Sequence, residues 1–323
     1  MLSRVAERMY WMGRYIERAE NIARLVNVSA SLQLDLPRGV KPPWHTLTDI
    51  MDLTEEFLVK HTNDDERTII RFMLADEKNP SSLLSVVAMA RENARCTREI
   101  LPTEVFELIT ELNFFARKEV GQALARSGRH KYLYSIVNQC HQITGALLGT
   151  MSHDLGYGYI RLGRNIERAD MTTRILDVGS TRLLAKSNEL PETYNTALWM
   201  SVLRSISAYQ MYRQHVLDRV NSKDVVEFLL KDSHFPRSVA HCIDELKACC
   251  VMLPRGDGPQ RLLATISRNI GELDVPAMLD DGLHEYIDSL QLDIAAMHDD
   301  IVKTWFSFDH ATLRLARTNE PSR

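Results

Sequence analysis

Apolar residues recur three and four positions apart through most of the chain, which is the spacing of a buried helical face. In the first such segment the apolar positions are Met12, Ile16, Ala19, Ala23, Val26 and Ala30. A later segment repeats the spacing with Leu162, Ile166, Ala169, Thr173 and Leu176. Alternation of the kind that strands show is scarce, and Pro and Gly collect between the periodic segments, as at 36–43, 191 and 254–259. The pattern predicts an all-α fold, a multi-helix bundle of about a dozen helices.

The chain also matches itself. Residues 11–26 align with 161–176 at an offset of 150, and seven of these sixteen positions are identical. The identical pairs are Gly13/Gly163, Arg14/Arg164, Ile16/Ile166, Glu17/Glu167, Arg18/Arg168, Ala19/Ala169 and Arg24/Arg174. Residues 72–82 match 228–238 in the same order, at an offset of 156. This predicts an internal duplication, with helical repeats at 1–151 and 152–323 packed as one domain.

Each repeat opens with a helix that carries a glycine and a stripe of charge. Gly13 and Gly163 each cost about 1 kcal/mol of helix stability relative to Ala, so close approach of another backbone or of a ligand would explain them. The charged stripe is made by polar residues three and four apart, namely Arg14, Glu17, Asn21 and Arg24, with Arg18 alongside. We call these two segments the motif helices.

Two interpretations of the stripe remain open. In the first, Glu17 and Glu167 accept hydrogen bonds from arginines and hold the two repeats in register. In the second, the arginines surround a cleft that binds a carboxylate or phosphate. Direct acid–base catalysis by the two glutamates is disfavoured, because adjacent arginines lower a carboxyl pKa. We therefore predict no catalytic residue and a ligand-binding set consisting of Arg14, Glu17, Arg18, Asn21, Arg164, Glu167, Arg168, Asp170, Arg91 and Arg95.

Arg91 and Arg95 enter that set from the segment Ala90-Arg-Glu-Asn-Ala-Arg95, which would extend the polar cluster or form a solvated helical face. No HExxH, Cys-x-x-Cys or twin Glu-x-x-His pattern suggests a metal, and no Gly-rich phosphate loop suggests a nucleotide cofactor. We expect neither.

Composition narrows the classes of partner. The 39 basic and 43 acidic residues give a formal charge of −4, so the protein as a whole has no reason to bind nucleic acid or an anionic membrane. The first twenty residues carry frequent charges and lack the apolar stretch of a signal peptide, which favours a cytoplasmic location. Five cysteines, an odd number that includes adjacent Cys249 and Cys250, are expected to be reduced and mostly buried.

Several segments resemble the Alpha-E family, bacterial helical domains with a Glu-Arg motif. The resemblance rests on Met1-Leu-Ser-Arg-Val-Ala, on Tyr10-Trp-Met-Gly-Arg-Tyr-Ile-Glu-Arg-Ala-Glu-Asn21 and on Tyr159-Ile-Arg-Leu-Gly-Arg-Asn-Ile-Glu-Arg-Ala-Asp170. The segments at 90–95 and Phe235-Pro-Arg-Ser238 contribute further likeness, and together these cover essentially the whole chain. This chain has Gly158 where some relatives carry an aromatic residue, so the two motif helices are not expected to present identical surfaces.

The resemblance implies a functional context. Members of the family accompany, or are fused to, a circularly permuted ATP-grasp ligase-like protein and a transglutaminase-like protein, a pairing that suggests chemistry on peptide amides. The expected role is a non-catalytic partner or substrate-binding subunit of the ligase, holding an acidic peptide in an Arg/Glu-lined cleft. The alternatives are an amide-acting hydrolase or transferase of the same pathway and a purely structural scaffold.

Overall fold

The computed structural model describes residues 1–35, 44–184 and 192–307. Over these ranges the backbone forms fifteen α-helices and one π-helical segment, and contains no strand. The all-α multi-helix fold is therefore confirmed, and several short helices bring the number above the dozen expected. The breaks predicted at 36–43 and at Pro191 lie outside the described residues.

The two halves follow similar helical plans. The first contains α1 (Ser3–Asp35), α2 (Thr46–Ile50), α3 (Thr54–Lys60), α4 (Glu66–Leu74), α5 (Leu83–Cys96), α6 (Thr103–Leu124) and α7 (Arg126–Thr150). The second contains α8 (Leu155–Leu184), α9 (Glu192–Ser205), α10 (Tyr209–His215), α11 (Ser222–Lys231), α12 (Val239–Met252), α13 (Asp257–Glu272), α14 (Val275–Asp280) and α15 (Leu283–Ile301), followed by the π-helical Val302–Phe306. The link between α7 and α8 contains the boundary that the sequence predicts between repeats.

Helices α5 and α12 show how closely the duplicated segments correspond. Both have 14 residues, and their ends are related by the offset of 156 found in the sequence. Ser82 caps α5 by accepting a hydrogen bond from the backbone N–H of Ser85, and Ser238 caps α12 in the same way through His241. A serine at this position satisfies an N–H that the helix itself leaves unpaired.

The motif helices α1 and α8 lie in the middle of the bundle and pack on each other. Helix α1 also contacts α5, α7 and α9, while α8 also contacts α12 and α15. The predicted apolar seams face this core, since Met12, Ile16, Leu162 and Ile166 are buried. No helix in the described ranges has both the length and the apolar character needed to cross a membrane.

The crossing of α1 and α8 explains the two motif glycines. A Cβ atom added to Gly13 would overlap the carbonyl oxygen of Ile160, and one added to Gly163 would overlap that of Tyr10. Only glycine allows the backbones to approach this closely. Of the two explanations that the sequence left open, another backbone or a ligand, the structure shows the first, and the contact is reciprocal.

The cysteines agree with the sequence prediction. All five are free thiols, and only Cys96 is exposed. Burial raises the pKa of Cys242 to about 12, so this thiol stays protonated and unreactive.

Candidate functional site

The glutamate of the second motif helix binds two arginines of the first. Glu167 Oε2 lies 2.8 Å from Arg14 Nε, and Glu167 Oε1 lies 2.5 Å from Arg18 Nε. Only 1% of the Glu167 side chain is exposed. Burial acts to raise the pKa of Glu167, but the guanidinium groups of Arg18 and Arg14 outweigh burial and lower it to about 2. Glu167 is therefore a permanent anion that ties α8 to α1.

Glu17, the counterpart of Glu167, has a different pair of partners. Its Oε2 lies 2.9 Å from Arg168 Nε on α8, although the direction of that N–H does not make the contact a hydrogen bond. Its Oε1 accepts a hydrogen bond of 2.5 Å from Nη1 of Arg237. Arg237 belongs to the segment that joins α11 to α12, so a residue outside the motif has entered the network.

Arg237 binds three groups of α1 at once. Besides Glu17, it donates to Glu20 Oε1 at 2.6 Å and to Asn21 Oδ1 at 3.1 Å. Sequence reasoning missed this residue, although a signal was present. The match between 72–82 and 228–238 aligns Arg237 with Ser81, and an arginine that replaces serine beside a helix cap is a conspicuous difference.

The acidic residues that follow the motif glutamates are also paired. Glu20 contacts Arg24 at 2.8 Å and His141 at 3.2 Å, in addition to Arg237. Its pKa lies well below the usual range, because Arg237 and its other partners outweigh burial. Asp170, the counterpart of Glu20, is bound by Arg174 at 3.0 Å, and burial leaves its pKa raised.

Arg164 is the member of the network without a carboxylate of its own. Its counterpart Arg14 pairs with Glu167, but Arg164 forms no ion pair within the described ranges, and its buried Nε has no hydrogen-bond partner. Burial and the neighbouring Arg168 lower the pKa of Arg164. Glu17 attracts its charge, yet Glu17 is already engaged by Arg168 and Arg237. The side chain as a whole is only partly buried, and a hydrogen bond with Tyr157 acts with Glu17 against the lowering of the Arg164 pKa.

The structure gathers most of the predicted ligand-binding residues into one ionic network between the motif helices. These are Arg14, Glu17, Arg18, Asn21, Arg164, Glu167 and Arg168, with Asp170 further along α8 paired to Arg174. Arg95 is not joined to them, because it pairs with Glu92 of its own helix at 2.7 Å on the exposed surface. Arg91 lies on that helix, partly buried, and no ion pair in the described chain links it to the network.

One group of side chains in the described ranges has the composition of a metal site. His284 of α15 places Nδ1 2.7 Å from Asp177 of α8 and Nε2 3.5 Å from Asp288. The hydrogen bond to Asp177 raises the pKa of His284 and so favours its charged form. In the described chain these contacts form an ion-paired cluster that links α8 and α15.

Comparison with known proteins gives a family and no activity. The model of the Alpha-E family, described as a predicted alpha-helical domain with a conserved ER motif, matches residues 1–306. Uncharacterized proteins of Mycobacterium bovis and of two Mycobacterium tuberculosis strains are each 24% identical over 293 residues, covering 80% of this chain. The chain spans only 30% of the length of those relatives. No solved structure matches it.

Proposed function

Because this chain belongs to the Alpha-E family, we propose that it is a non-catalytic binding subunit that holds an acidic ligand beside Arg164. One observation carries the proposal. Arg164 is a partly buried cation that has no carboxylate partner in the described chain, whereas its counterpart Arg14 pairs with Glu167. A carboxylate from a ligand would complete the pairing that the duplication leaves open.

The charge balance of the network supports an anionic ligand. Five guanidinium groups, those of Arg14, Arg18, Arg164, Arg168 and Arg237, surround three carboxylates, those of Glu17, Glu20 and Glu167. An uncompensated charge in a low-dielectric interior costs several kcal/mol. An incoming carboxylate or phosphate reduces this cost, and a guanidinium can bind either through two parallel hydrogen bonds.

The family context suggests the class of ligand. An ATP-grasp-like ligase and a transglutaminase-like protein are the partners that the family resemblance implies, and an acidic peptide is a substrate that such a pair would share. Since the matched region is 30% of the mycobacterial relatives, this type of domain also occurs within longer chains. We propose that the subunit presents an acidic peptide to the ligase, in the cytoplasm.

The geometry gives less support to the hydrolase or transferase alternative. A general acid must carry a proton near neutral pH, and Glu167 has a pKa of about 2 because Arg18 and Arg14 hold it ionised. An assay of the purified protein on amide substrates, with and without divalent metal, tests this directly. Turnover without a partner protein would contradict the proposed role.

The binding test uses Arg164 because this residue is not part of an ion pair. Titration calorimetry with a pentaglutamate peptide should show binding to the unaltered protein and a loss of at least tenfold in affinity for Arg164→Gln. Arg95→Gln is the matched control, because it removes one arginine from an exposed pair that does not belong to the network. Equal binding by Arg164→Gln and the unaltered protein would overturn the proposal.

Stability measurements separate binding from folding. Arg164→Gln should lower the free energy of unfolding by no more than about 0.5 kcal/mol, since it breaks no ion pair of the described chain and removes a charge that lacks a carboxylate there. If Arg164→Gln instead unfolds the protein, Arg164 is a structural member of the network and the scaffold alternative gains. Arg164→Lys, which keeps the charge but loses the forked geometry, then reports on binding in a folded protein.

A further inference from the structure

A pocket of about 390 Å³ lies along the amino-terminal part of α1, apart from the network between the motif helices. It is lined by Arg4, Glu7, Arg8, Trp11, Tyr15 and Asn93. The first five belong to α1, where positions 4, 8, 11 and 15 lie on one face at a four-three-four spacing. Asn93 belongs to the neighbouring α5. Small-molecule sites in proteins begin at about this volume. We call this cavity the α1 pocket.

The two arginines that line the α1 pocket share it with the Glu7 carboxylate, and Arg8 also attracts Glu92 of α5. Within the described ranges no ion pair engages Arg4, Glu7 or Arg8. Arg4 and Arg8 are one helical turn apart, and like charges at this spacing destabilise a helix by a few tenths of a kcal/mol, roughly 0.2–0.5. Two guanidinium groups that line the same cavity, neither of them in an ion pair of the described chain, can bind an anion from outside.

The far end of the pocket is held rigid by aromatic packing. The rings of Trp11 and Tyr15 stack with centroids 5.4 Å apart, and the Arg14 guanidinium lies 5.0 Å from the centre of the Trp11 ring. The His298 ring meets Trp11 edge-on at 5.5 Å. These contacts fix the position of the indole, and they connect the pocket wall to the arginine that binds Glu167.

The corresponding place in the second repeat is lined by different side chains. At the offset of 150, Gly158 stands where the first repeat has Arg8, and a Cβ there would overlap the methyl carbon of Met252. Arg161 stands in the place of Trp11 and pairs with Glu245 at 2.5 Å. Met252 thus occupies the space beside Gly158, and Arg161 is paired with a carboxylate. The matching segment of α8 therefore does without an unpaired arginine at this place.

We propose that the α1 pocket binds a small ligand through an oxyanion group, a carboxylate or a phosphate. Arg4 and Arg8 supply forked donors for the oxygens, and the amide of Asn93 supplies a further donor from α5. Glu7 accepts a hydrogen bond from a hydroxyl or amino group of the same ligand, which excludes ligands that carry negative charge throughout. The segment at 90–95 thus contributes through Asn93 and not through its arginines.

Calorimetric titration tests the site with four probes: inorganic phosphate, glycerol 3-phosphate, citrate and free glutamate. We expect saturable binding of at least one of them, weakened as ionic strength rises. The affinities for the phosphate probes, compared with those for the carboxylate probes, identify which oxyanion the pocket binds. The affinity for glycerol 3-phosphate, compared with that for inorganic phosphate, shows whether Glu7 binds a ligand hydroxyl. Absence of saturable binding by all four probes would overturn the proposal.

The variants localise the binding. Arg4→Gln with Arg8→Gln should weaken binding by more than tenfold without loss of folding, because neither residue is in an ion pair of the described chain. Asn93→Met should also weaken binding, since it removes the amide donor and places a larger apolar side chain in the pocket. Arg95→Gln should leave this binding unchanged. Loss in Arg164→Gln with retention in the double variant would overturn the assignment to the α1 pocket.

Discussion

The two motif glutamates occupy equivalent places and yet have unequal surroundings. Among the described residues Glu167 is bound by Arg14 and Arg18 of the opposite motif helix, whereas Glu17 is shared between Arg168 and Arg237. The two halves share the backbone crossing and differ in this pairing. We call the Glu167 side, where both arginines are paired, the closed side, and the Glu17 side, where Arg164 has no carboxylate partner in the described chain, the open side.

The largest expected effect comes from removing the glutamate on the closed side. Glu167→Gln leaves Arg14 and Arg18 buried without a counter-charge, and should cost about 3–5 kcal/mol of the free energy of unfolding. Glu17→Gln should cost less, because Arg237 keeps its contact with Glu20 at 2.6 Å. Urea denaturation of both variants measures the difference. Equal losses would show that the two sides are energetically alike.

The pH dependence of the free energy of unfolding should also reflect the ion pairs of Glu167. The folded-state pKa of Glu167, about 2, is lower than that of an unfolded glutamate. Its stabilising contribution is therefore complete above the unfolded pKa of about 4.3 and is lost as pH falls towards 2, with a slope of up to about 1.4 kcal/mol per pH unit. Denaturation measured between pH 5 and about 2 should show this slope. Glu167→Gln should flatten it, and an unaltered slope in that variant would contradict the assignment.

The crossing of α1 and α8 should be destabilised even by a methyl side chain in place of a motif glycine. Gly163→Ala places a Cβ against the carbonyl of Tyr10 and should lower the free energy of unfolding by about 1–3 kcal/mol. Gly145→Ala is the matched control, because Gly145 also lies in a helix but has no atom near an added Cβ. That change should stabilise the protein by up to about 1 kcal/mol. A neutral Gly163→Ala would mean that the backbones separate easily.

A double-mutant cycle tests whether Arg237 keeps Glu17 from pairing with Arg164. In the unaltered protein Arg164→Gln should change the free energy of unfolding by no more than about 0.5 kcal/mol. In the background of Arg237→Ser, which restores the residue found at Ser81, Glu17 becomes available to Arg164. Arg164→Gln should then cost about 1–3 kcal/mol more than in the unaltered protein. Additive changes would show that Arg237 does not displace Arg164.

The sequence predicted the parts of this structure that depend on local periodicity. The apolar seams, the helical class and the close approach at Gly13 and Gly163 follow from spacing and from the cost of glycine in a helix. The contact of Arg237 with Glu17 does not follow, since 220 positions separate the two residues and the arginine comes from a connecting segment. Sequence spacing carries no information about such a distance.

The α1 pocket was hidden for a different reason. Arg4, Glu7 and Arg8 have the spacing of any solvated helical face, so their types alone do not distinguish a cavity from open surface. Arg95 illustrates the opposite case, because a motif-like segment placed it with the ligand-binding residues and the structure pairs it with Glu92. Which polar face is covered is decided by the neighbouring helix.

The reciprocal glycine contact makes the pair α1 and α8 resemble the interface of a two-fold symmetric dimer whose two subunits are joined in one polypeptide. In such an interface each unit supplies the surface that the other must bury. A fragment that contains one motif helix would expose its apolar seam and its unpaired guanidinium groups to water. Neither half is therefore expected to fold alone. A mixture of the two fragments should form a folded complex.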